Sequence, residues 1–254
     1  MPFAWESFFI IFARMSGLFV TAPILSSRQM PMRVKVVAVL IISACLAYVI
    51  PVSIPAEATT ASTVVLALAM EVVVGFTIGF VAYMIFAGIQ LAGQVMDMQM
   101  GFGIVNVVDP QSGMQIPLMG NFVQTYALLL FLSVNGHHYL LQAIADSYIA
   151  IPVLGLSFSE SFISELMRIS VYMFVMAVKI ATPLVLAVLT VDLAMGFIAR
   201  TVPQMNVFIV GLPLRILVGL ICLFMLLPVY YWVFQAIFAQ LFGFLDAIIV
   251  SLGI

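Results

Sequence analysis

Few side chains in this sequence could take part in catalysis, and their spacing does not favour it. No two carboxylates recur at a spacing that would place a general acid beside a general base. His137 and His138 are adjacent, so on a helix their side chains point about 100° apart and chelate a metal ion poorly. The sequence also shows neither a phosphate-binding glycine loop with a lysine nor a nucleophile elbow. It therefore predicts no enzyme, no cofactor and no metal site.

Charged side chains inside apolar segments are the other candidates for function, because a charge within hydrocarbon is costly and is retained where it pairs or conducts. The set that we take as buried or boundary charges is Lys179, Asp192, Arg200 and Arg215, and Arg14 stands in an apolar segment as well. Asp192 and Arg200 share one helical stripe, close to a run that turns polar. A proton or ion relay would use acids in the middle of a span, so we interpret Asp192 as half of a structural pair at the membrane boundary.

One face of a predicted helix is built mainly from small residues. Its members recur at helical spacing and are Glu71, Gly75, Gly79 and Ala82. Small residues let two helix backbones approach closely, as in the small-xxx-small pattern. The pattern is typical both of packing within a chain and of packing between subunits, and the sequence leaves both open. We keep the four residues as subunit-packing candidates.

The elements that carry these residues are long hydrophobic segments. Hydrophobic residues make up 65% of the chain, charged residues make up 7%, and the mean hydropathy is +1.30, whereas a soluble domain has about 25% charged residues. Six apolar segments cover residues 3–24, 36–56, 72–96, 118–145, 169–191 and 216–245. They are too long and too uniformly apolar for barrel strands of about 10 residues. The sequence predicts an all-α membrane protein with no separate soluble domain and no basic face for nucleic acid.

Prolines inside these segments predict bent or broken helices. Pro183 stands in the fifth segment, and Pro213 and Pro228 stand in the region of the last one. Each lacks the N–H that would bond to the carbonyl four residues earlier. Residues 202–254 are too many for one span and few for two, so we interpret them as a Pro-kinked hairpin of two helices. Such breaks are expected where helices line a cavity or bend into an assembly.

Residues 93–120 form a stretch that fits neither a plain span nor an ordinary surface loop. They are rich in Gly, Met and Gln and carry two aspartates. Irregular backbone facing lipid is not tolerated, because unpaired N–H and C=O groups cost several kcal/mol each. The stretch must therefore leave the membrane, lie buried in protein or line an aqueous path. A turn at 109–113 and apolar residues before it predict an internal loop over 97–117 that is folded into protein.

Methionines flank this loop at high local density. Those that we consider as gasket candidates are Met96, Met98, Met100 and Met119. Methionine is unbranched and soft, so it can fill an irregular core or re-pack around changing partners. The sequence leaves two uses open, which are filler in a core or against lipid and a deformable gasket around a molecule that passes through.

Four stretches, taken in order, carry a resemblance to a known family. They are residues 21–35; residues 93–113, with Met98-Gln-Met-Gly and Val108-Asp-Pro; Asn135-Gly-His137; and residues 192–208 followed by Gly211-Leu-Pro213. Their order and the chain length resemble the FliR family of flagellar type III export-gate proteins, which includes counterparts in virulence injectisomes. The resemblance extends over essentially the whole chain, and the overall pattern favours the flagellum.

The resemblance implies a single export-gate subunit over residues 1–254, built like FliP and FliQ parts joined in one chain. It implies assembly with several copies of FliP and FliQ and with FlhB in the bacterial inner membrane at the flagellar basal body. Unfolded flagellar proteins would pass through the closed conical gate that they form. The mid-chain loop of the family is described as the plug of that gate. Here the plug maps onto Gly101, Phe102, Gly103, Ile104, Val105, Asn106, Val107, Val108, Asp109, Pro110, Gln111, Ser112, Gly113, Met114 and Gln115.

A secondary transporter with broken helices is the alternative function. Such proteins bind substrate and ions near the middle of the membrane, between repeats of opposite topology. This chain is short, shows no inverted repeat and has no pair of acids in mid-span. We therefore predict a non-enzymatic subunit of a protein-export gate.

Overall fold

The computed structural model describes residues 5–26, 30–50, 52, 60–103, 117–202, 204 and 206–253, without the side chains of 207 and 208. All regular elements in these ranges are helices. They are α1 (Trp5–Thr21), α2 (Met32–Val49), α3 (Ala61–Met100), α4 (Leu118–Ser133), α5 (Gly136–Ala150), α6 (Glu160–Thr201) and α7 (Val207–Leu252). The prediction of an all-α membrane protein is confirmed.

The helices form because long apolar runs must satisfy every backbone N–H and C=O group internally when water is excluded. Within the described residues, four helices are long and apolar enough to cross a membrane, namely α2, α3, α6 and α7. Helices α4 and α5 together would make a fifth, broken span. Val134 and Asn135 separate these two helices, and Asn135 adopts the left-handed backbone conformation, with φ 58°. The apolar segment 118–145 is therefore two helices and not one.

Three helices are far longer than a membrane requires. Helices α3, α6 and α7 have 40, 42 and 46 residues, so each is about 60–70 Å long at 1.5 Å per residue. A hydrocarbon core is about 30 Å thick. Each of these helices therefore extends well beyond the thickness of one hydrocarbon core.

The prediction of a Pro-kinked hairpin over residues 202–254 is wrong. Residues Val207–Leu252 form one helix that contains both Pro213 and Pro228, and α6 likewise continues through Pro183. Each proline removes only one hydrogen bond. In an apolar environment the neighbouring backbone groups have no water to turn to, so continuing the helix costs less than breaking it.

The chain divides into two compact units, and α3, α4, α6 and α7 contribute to both. Unit 1 comprises Met1–Ile85, Phe131–Val171 and Ile237–Ile254, and unit 2 comprises Phe86–Leu130 and Tyr172–Ala236. In unit 1, Ile10, Ala67 and Val153 form a buried cluster. In unit 2, the Tyr230 hydroxyl donates to the Ile180 carbonyl at 2.9 Å, which ties α7 to α6.

Candidate functional site

A buried ion pair joins α1 to α3 in unit 1. Arg14 is 0% exposed and Glu71 is 2% exposed. Arg14 Nε donates to Glu71 Oε2 at 2.6 Å, and Nη2 donates to Oε1 at 3.1 Å. This fork-to-fork geometry is the strong form of an arginine–carboxylate contact, because two parallel charge-assisted hydrogen bonds form together.

The remaining donors of Arg14 bind α5 and the residue after it. Nη1 donates to Ser147 Oγ at 2.7 Å, and Nη2 also donates to the Ile151 carbonyl at 3.1 Å. The guanidinium carbon lies 3.7 Å from the centre of the Tyr148 ring, which adds a cation–π contact. Both oxygens of Glu71 accept hydrogen bonds from Arg14, so the pair is a structural contact that joins α1, α3 and α5.

The small residues beside Glu71 allow α1 to approach α3 at backbone distance. A Cβ added to Gly75 would lie 1.8 Å from the Arg14 carbonyl oxygen, and one added to Gly79 would lie 2.2 Å from Thr21 Oγ1. Ala82 is 0% exposed. Of the two uses that the sequence leaves open for this face, packing within the chain is the one that α1 provides here.

Helix α3 ends at the start of the mid-chain loop in a Schellman motif. The Phe102 N–H donates to the Asp97 carbonyl at 3.1 Å, and the Gly101 N–H donates to the Met98 carbonyl at 3.3 Å. Gly101 has φ +89°, a conformation that glycine adopts without a Cβ clash. Asp97 and Met98 thus lie in α3, which ends at Met100, so the predicted loop start at position 97 falls inside the helix.

The carboxylate of Asp97 holds the far end of the same loop. The Met119 N–H donates to Oδ1 at 2.9 Å, and the Gly120 N–H donates to Oδ2 at 3.0 Å. These N–H groups belong to the first turn of α4 and have no partner within the helix. Pro117, which precedes α4, has no side-chain oxygen to cap them. Asp97, 6% exposed, supplies that cap from across the loop.

A second contact closes the loop at its base. A Cβ on Gly93 would lie 2.4 Å from the Gly120 Cα, so α3 and the start of α4 touch through their backbones. We call Gly93, Asp97, Met119 and Gly120 the neck. The chain leaves α3 and returns to α4 at this one place. The neck fixes both ends of the loop in the way that an Ω-loop has its ends fixed.

Only the beginning of the predicted plug lies among the described residues. A Cβ on Gly101 would lie 2.5 Å from Leu212 Cδ1, so α7 adjoins the first residue of the loop. Phe102 and Gly103 are half-buried. The predicted plug residues from Ile104 to Gln115 lie outside the described residues.

The four gasket candidates divide into two kinds. Met96 and Met100 are 0% exposed and Met119 is 5% exposed, so these three fill the core of unit 2. Met100 also contacts α7, because a Cβ on Gly219 would lie 2.7 Å from its Cε. Met98 is 76% exposed, so it alone of the four has the exposure that a gasket requires.

The predicted charges also divide. Arg215 Nε donates to Asp192 Oδ1 at 2.5 Å, with side chains 38% and 34% exposed, so α6 and α7 are joined by a half-exposed ion pair. Asp192 is thus paired as the sequence suggests, with a partner on the next helix and not with Arg200 on its own stripe. Lys179 and Arg200 are exposed. Within the described residues, no group of three or more His, Cys, Asp and Glu could hold a metal ion.

The sequence interpretation missed two contacts that the structure brings together. It identified Arg14 and Glu71 separately but did not pair them, although one isolated acid and one isolated base in apolar segments each need a counter-charge. It counted Asp97 among the two aspartates of residues 93–120 without giving it a role. Pro117 at the start of α4 was the available signal, because a helix that lacks a capping side chain in its own sequence needs an acceptor from elsewhere.

Comparison with known proteins decides the family. The family model described as "Bacterial export proteins, family 1" matches residues 5–241. This chain belongs to that family. The neck and the buried ion pair both lie inside the matched region, so they are features of a member of this family and not of an added segment.

Curated members of the family match over nearly their full length. The chain is 38% identical over 239 residues to the flagellar biosynthetic protein FliR of Bacillus subtilis. The aligned residues cover 92% of this chain and 91% of that protein. It is 31% identical over 240 residues to FliR of Escherichia coli K12, covering 94% and 91%. It is 30% identical over 250 residues to FliR of Pectobacterium carotovorum, covering 98% and 95%.

Proposed function

We propose that this protein is a non-enzymatic subunit of the flagellar type III protein-export gate. The observation that carries the proposal is the similarity to three flagellar biosynthetic proteins named FliR, each covered over more than nine tenths of its length. The apolar helices place the protein in a membrane, and we assign it to the bacterial inner membrane at the flagellar basal body. Its partners in the gate are FliP and FliQ, in multiple copies, and FlhB.

Within the gate, residues 101–115 form the plug of the closed pore, as predicted from the sequence. The neck supports this role, because it fixes both ends of the loop on α3 and α4. A segment that must close a pore needs a rigid base and a body that can change its position. The exposed Met98, beside the neck, is the gasket residue that we keep from the four candidates.

The arrangement of acids argues against the secondary transporter. A transporter couples solute movement to a vacant ionisable group near the membrane centre. Glu71 is occupied by Arg14, and Asp97 is occupied by two backbone N–H groups. Both carboxylates that are buried in the described apolar helices are thus held by structural partners.

The test is deletion of the gene in the bacterium that encodes this protein. We expect flagellar subunits to be synthesised and to accumulate in the cell, and their secretion into the medium to stop. The intact gene supplied in trans should restore secretion, and so should the variant Gly243→Ala, because nothing lies within 4 Å of a Cβ at that position. Normal secretion without the gene would refute the proposal. Solute uptake into vesicles that contain only this purified chain would favour the transporter.

A further inference from the structure

Lys179 lies at the centre of the only charge-poor part of α6. From residue 169 to residue 191 it is the only charged side chain, with Arg168 before this range and Asp192 after it. Ten apolar or neutral residues precede Lys179 in the range and twelve follow it. At 1.5 Å per residue it is therefore about 15 Å from one end of the stretch and about 18 Å from the other. If α6 crosses a membrane, Lys179 lies close to its midplane.

The face of α6 that carries Lys179 is exposed and apolar. Val175 is 43% exposed, Val178 is 65% exposed and Leu186 is 56% exposed, and all lie within two helical turns of Lys179. The opposite face is used within the chain, since Ala177, Ala181 and Val188 are at most 1% exposed. Lys179 therefore points away from the core of unit 2 and stands on a surface that is otherwise suited to lipid or to another apolar helix.

A lysine in such a place needs a counter-charge. An ammonium facing lipid at the membrane centre is costly, and intramembrane charges are almost always paired or solvated. Lys179 has no ion pair among the described residues. Within the described helices, Glu71 forms an ion pair with Arg14, and Asp192 forms one with Arg215. No acid among the described residues pairs with Lys179, so we look for its counter-charge on another chain.

We propose that this face of α6 docks an apolar helix of a different subunit, and that the partner helix carries one carboxylate in contact with Lys179. The inference rests on the proposed function, since it assumes that the chain works within a multi-protein gate. The ion pair sets the position of the partner helix along α6, because a single ammonium on an apolar face allows one favourable position for a single carboxylate. The apolar residues on either side supply the contact area, and the ion pair supplies the specificity.

Variants at Lys179 test the register. The tagged full chain is extracted from its own host in mild detergent, and the co-purified proteins are measured against the chain. We expect Lys179→Glu to lower their recovery by at least about tenfold, because a carboxylate would then face a carboxylate. Lys179→Arg should keep most of it. Arg200→Glu, at the exposed last turn of the same helix, is the matched control and should behave as the wild type.

Chemical coupling in the unaltered complex gives a second test that does not depend on a variant's folding. A carbodiimide joins an ammonium directly to a carboxylate that touches it, with loss of water. We expect mass spectrometry to find Lys179 joined to an Asp or Glu of another protein. Coupling to a second copy of this chain, or no coupling together with full recovery of the complex by Lys179→Glu, would overturn the inference. If the wild type itself recovers no other membrane protein, the gate proposal fails instead.

Discussion

Two carboxylates on the same helix, Glu71 and Asp97, are both buried and are neutralised in different ways. Glu71, in unit 1, meets a full positive charge in a bidentate pair with Arg14. Among the described residues, Asp97, in unit 2, meets the N–H dipoles of the first turn of α4. An ion pair in a site without water is hard to separate, because burying either ion without its partner is strongly unfavourable. Backbone dipoles at a helix end give a weaker hold.

The two contacts join different kinds of structure in units 1 and 2. The contact of Glu71 joins helices that pack through glycine at backbone distance, where movement would leave charge unpaired. The contact of Asp97 joins the two ends of a loop through hydrogen bonds from two backbone N–H groups. We infer that helix α3 carries a fixed contact in unit 1 and a separable one in unit 2.

Removing the acid of the fixed contact should have the largest effect. Glu71→Ala leaves the guanidinium of Arg14 buried without its counter-charge, which should lower the free energy of unfolding by about 3–5 kcal/mol. The measurement is the thermal unfolding midpoint of the chain in detergent, together with its yield from membranes.

The double variant Arg14→Met with Glu71→Met is the control for this prediction. Replacing both ions by apolar side chains of similar size is often neutral or stabilising. We expect its midpoint to lie well above that of Glu71→Ala. If the double variant were as unstable as the single one, the loss would come from packing and not from an unpaired charge.

Forcing the helices of unit 1 apart should have the second largest effect. Gly75→Leu places a side chain where even a Cβ would lie 1.8 Å from the Arg14 carbonyl oxygen. Overpacking of this kind costs about 1–3 kcal/mol or somewhat more, and we expect it to reduce the recovery of the assembled complex. Gly196→Leu is a matched glycine-to-leucine control in a helix, because nothing lies within 4 Å of its Cβ position. Equal recovery of both variants would show that the contact at Gly75 is not tight.

Weakening the neck should lower the free energy of unfolding by less and should loosen the first turn of α4. Asp97→Asn keeps one acceptor oxygen and replaces the other by an NH₂ group, so one of the two N–H groups of α4 loses its partner. The expected cost is about 1.5–3 kcal/mol, local to the first turn of α4. Hydrogen exchange should quicken at Met119 and Gly120 while the rest of α4 is unchanged. Uniform exchange along α4 in both proteins would contradict a role for Asp97 at the neck.

Removing a charge from the half-exposed pair of Asp192 and Arg215 should have the smallest effect on stability. Asp192→Asn removes the charge that faces Arg215, but both side chains are more than a third exposed, and such pairs contribute about 0–1 kcal/mol. We expect the unfolding midpoint to change little and the change to shrink further in high salt. A loss as large as that of Glu71→Ala would mean that the surface at Asp192 is covered in the assembled protein.

The helical, membrane-type fold could be predicted from the sequence because it depends on composition and run length alone. The same reasoning failed at residues 202–254, where proline was taken to break a helix that the apolar environment keeps continuous. It also treated residues 118–145 as one segment. Asn135, in the left-handed conformation between α4 and α5, was recognised in a motif but not as the point where the helix ends.

The candidate site could be predicted only in part, because its contacts join residues that are distant in the sequence. Glycine spacing indicated that something approaches Gly75 but could not say that the neighbour is α1. The unusual composition of residues 93–120 indicated a loop. The neck depends on Asp97 reaching Met119 and Gly120 across that loop, and no local pattern encodes such a contact.

We propose that the loop held by the neck closes the export pore. The most direct measurement is the ion conductance of the assembled complex, reconstituted in a planar bilayer, with and without residues 104–112. Helices α3 and α4 and the neck itself remain in the deletion variant, so the complex should still assemble. We predict that its resting conductance rises well above that of the wild type. Unchanged conductance in a complex of normal mass and composition would contradict the account.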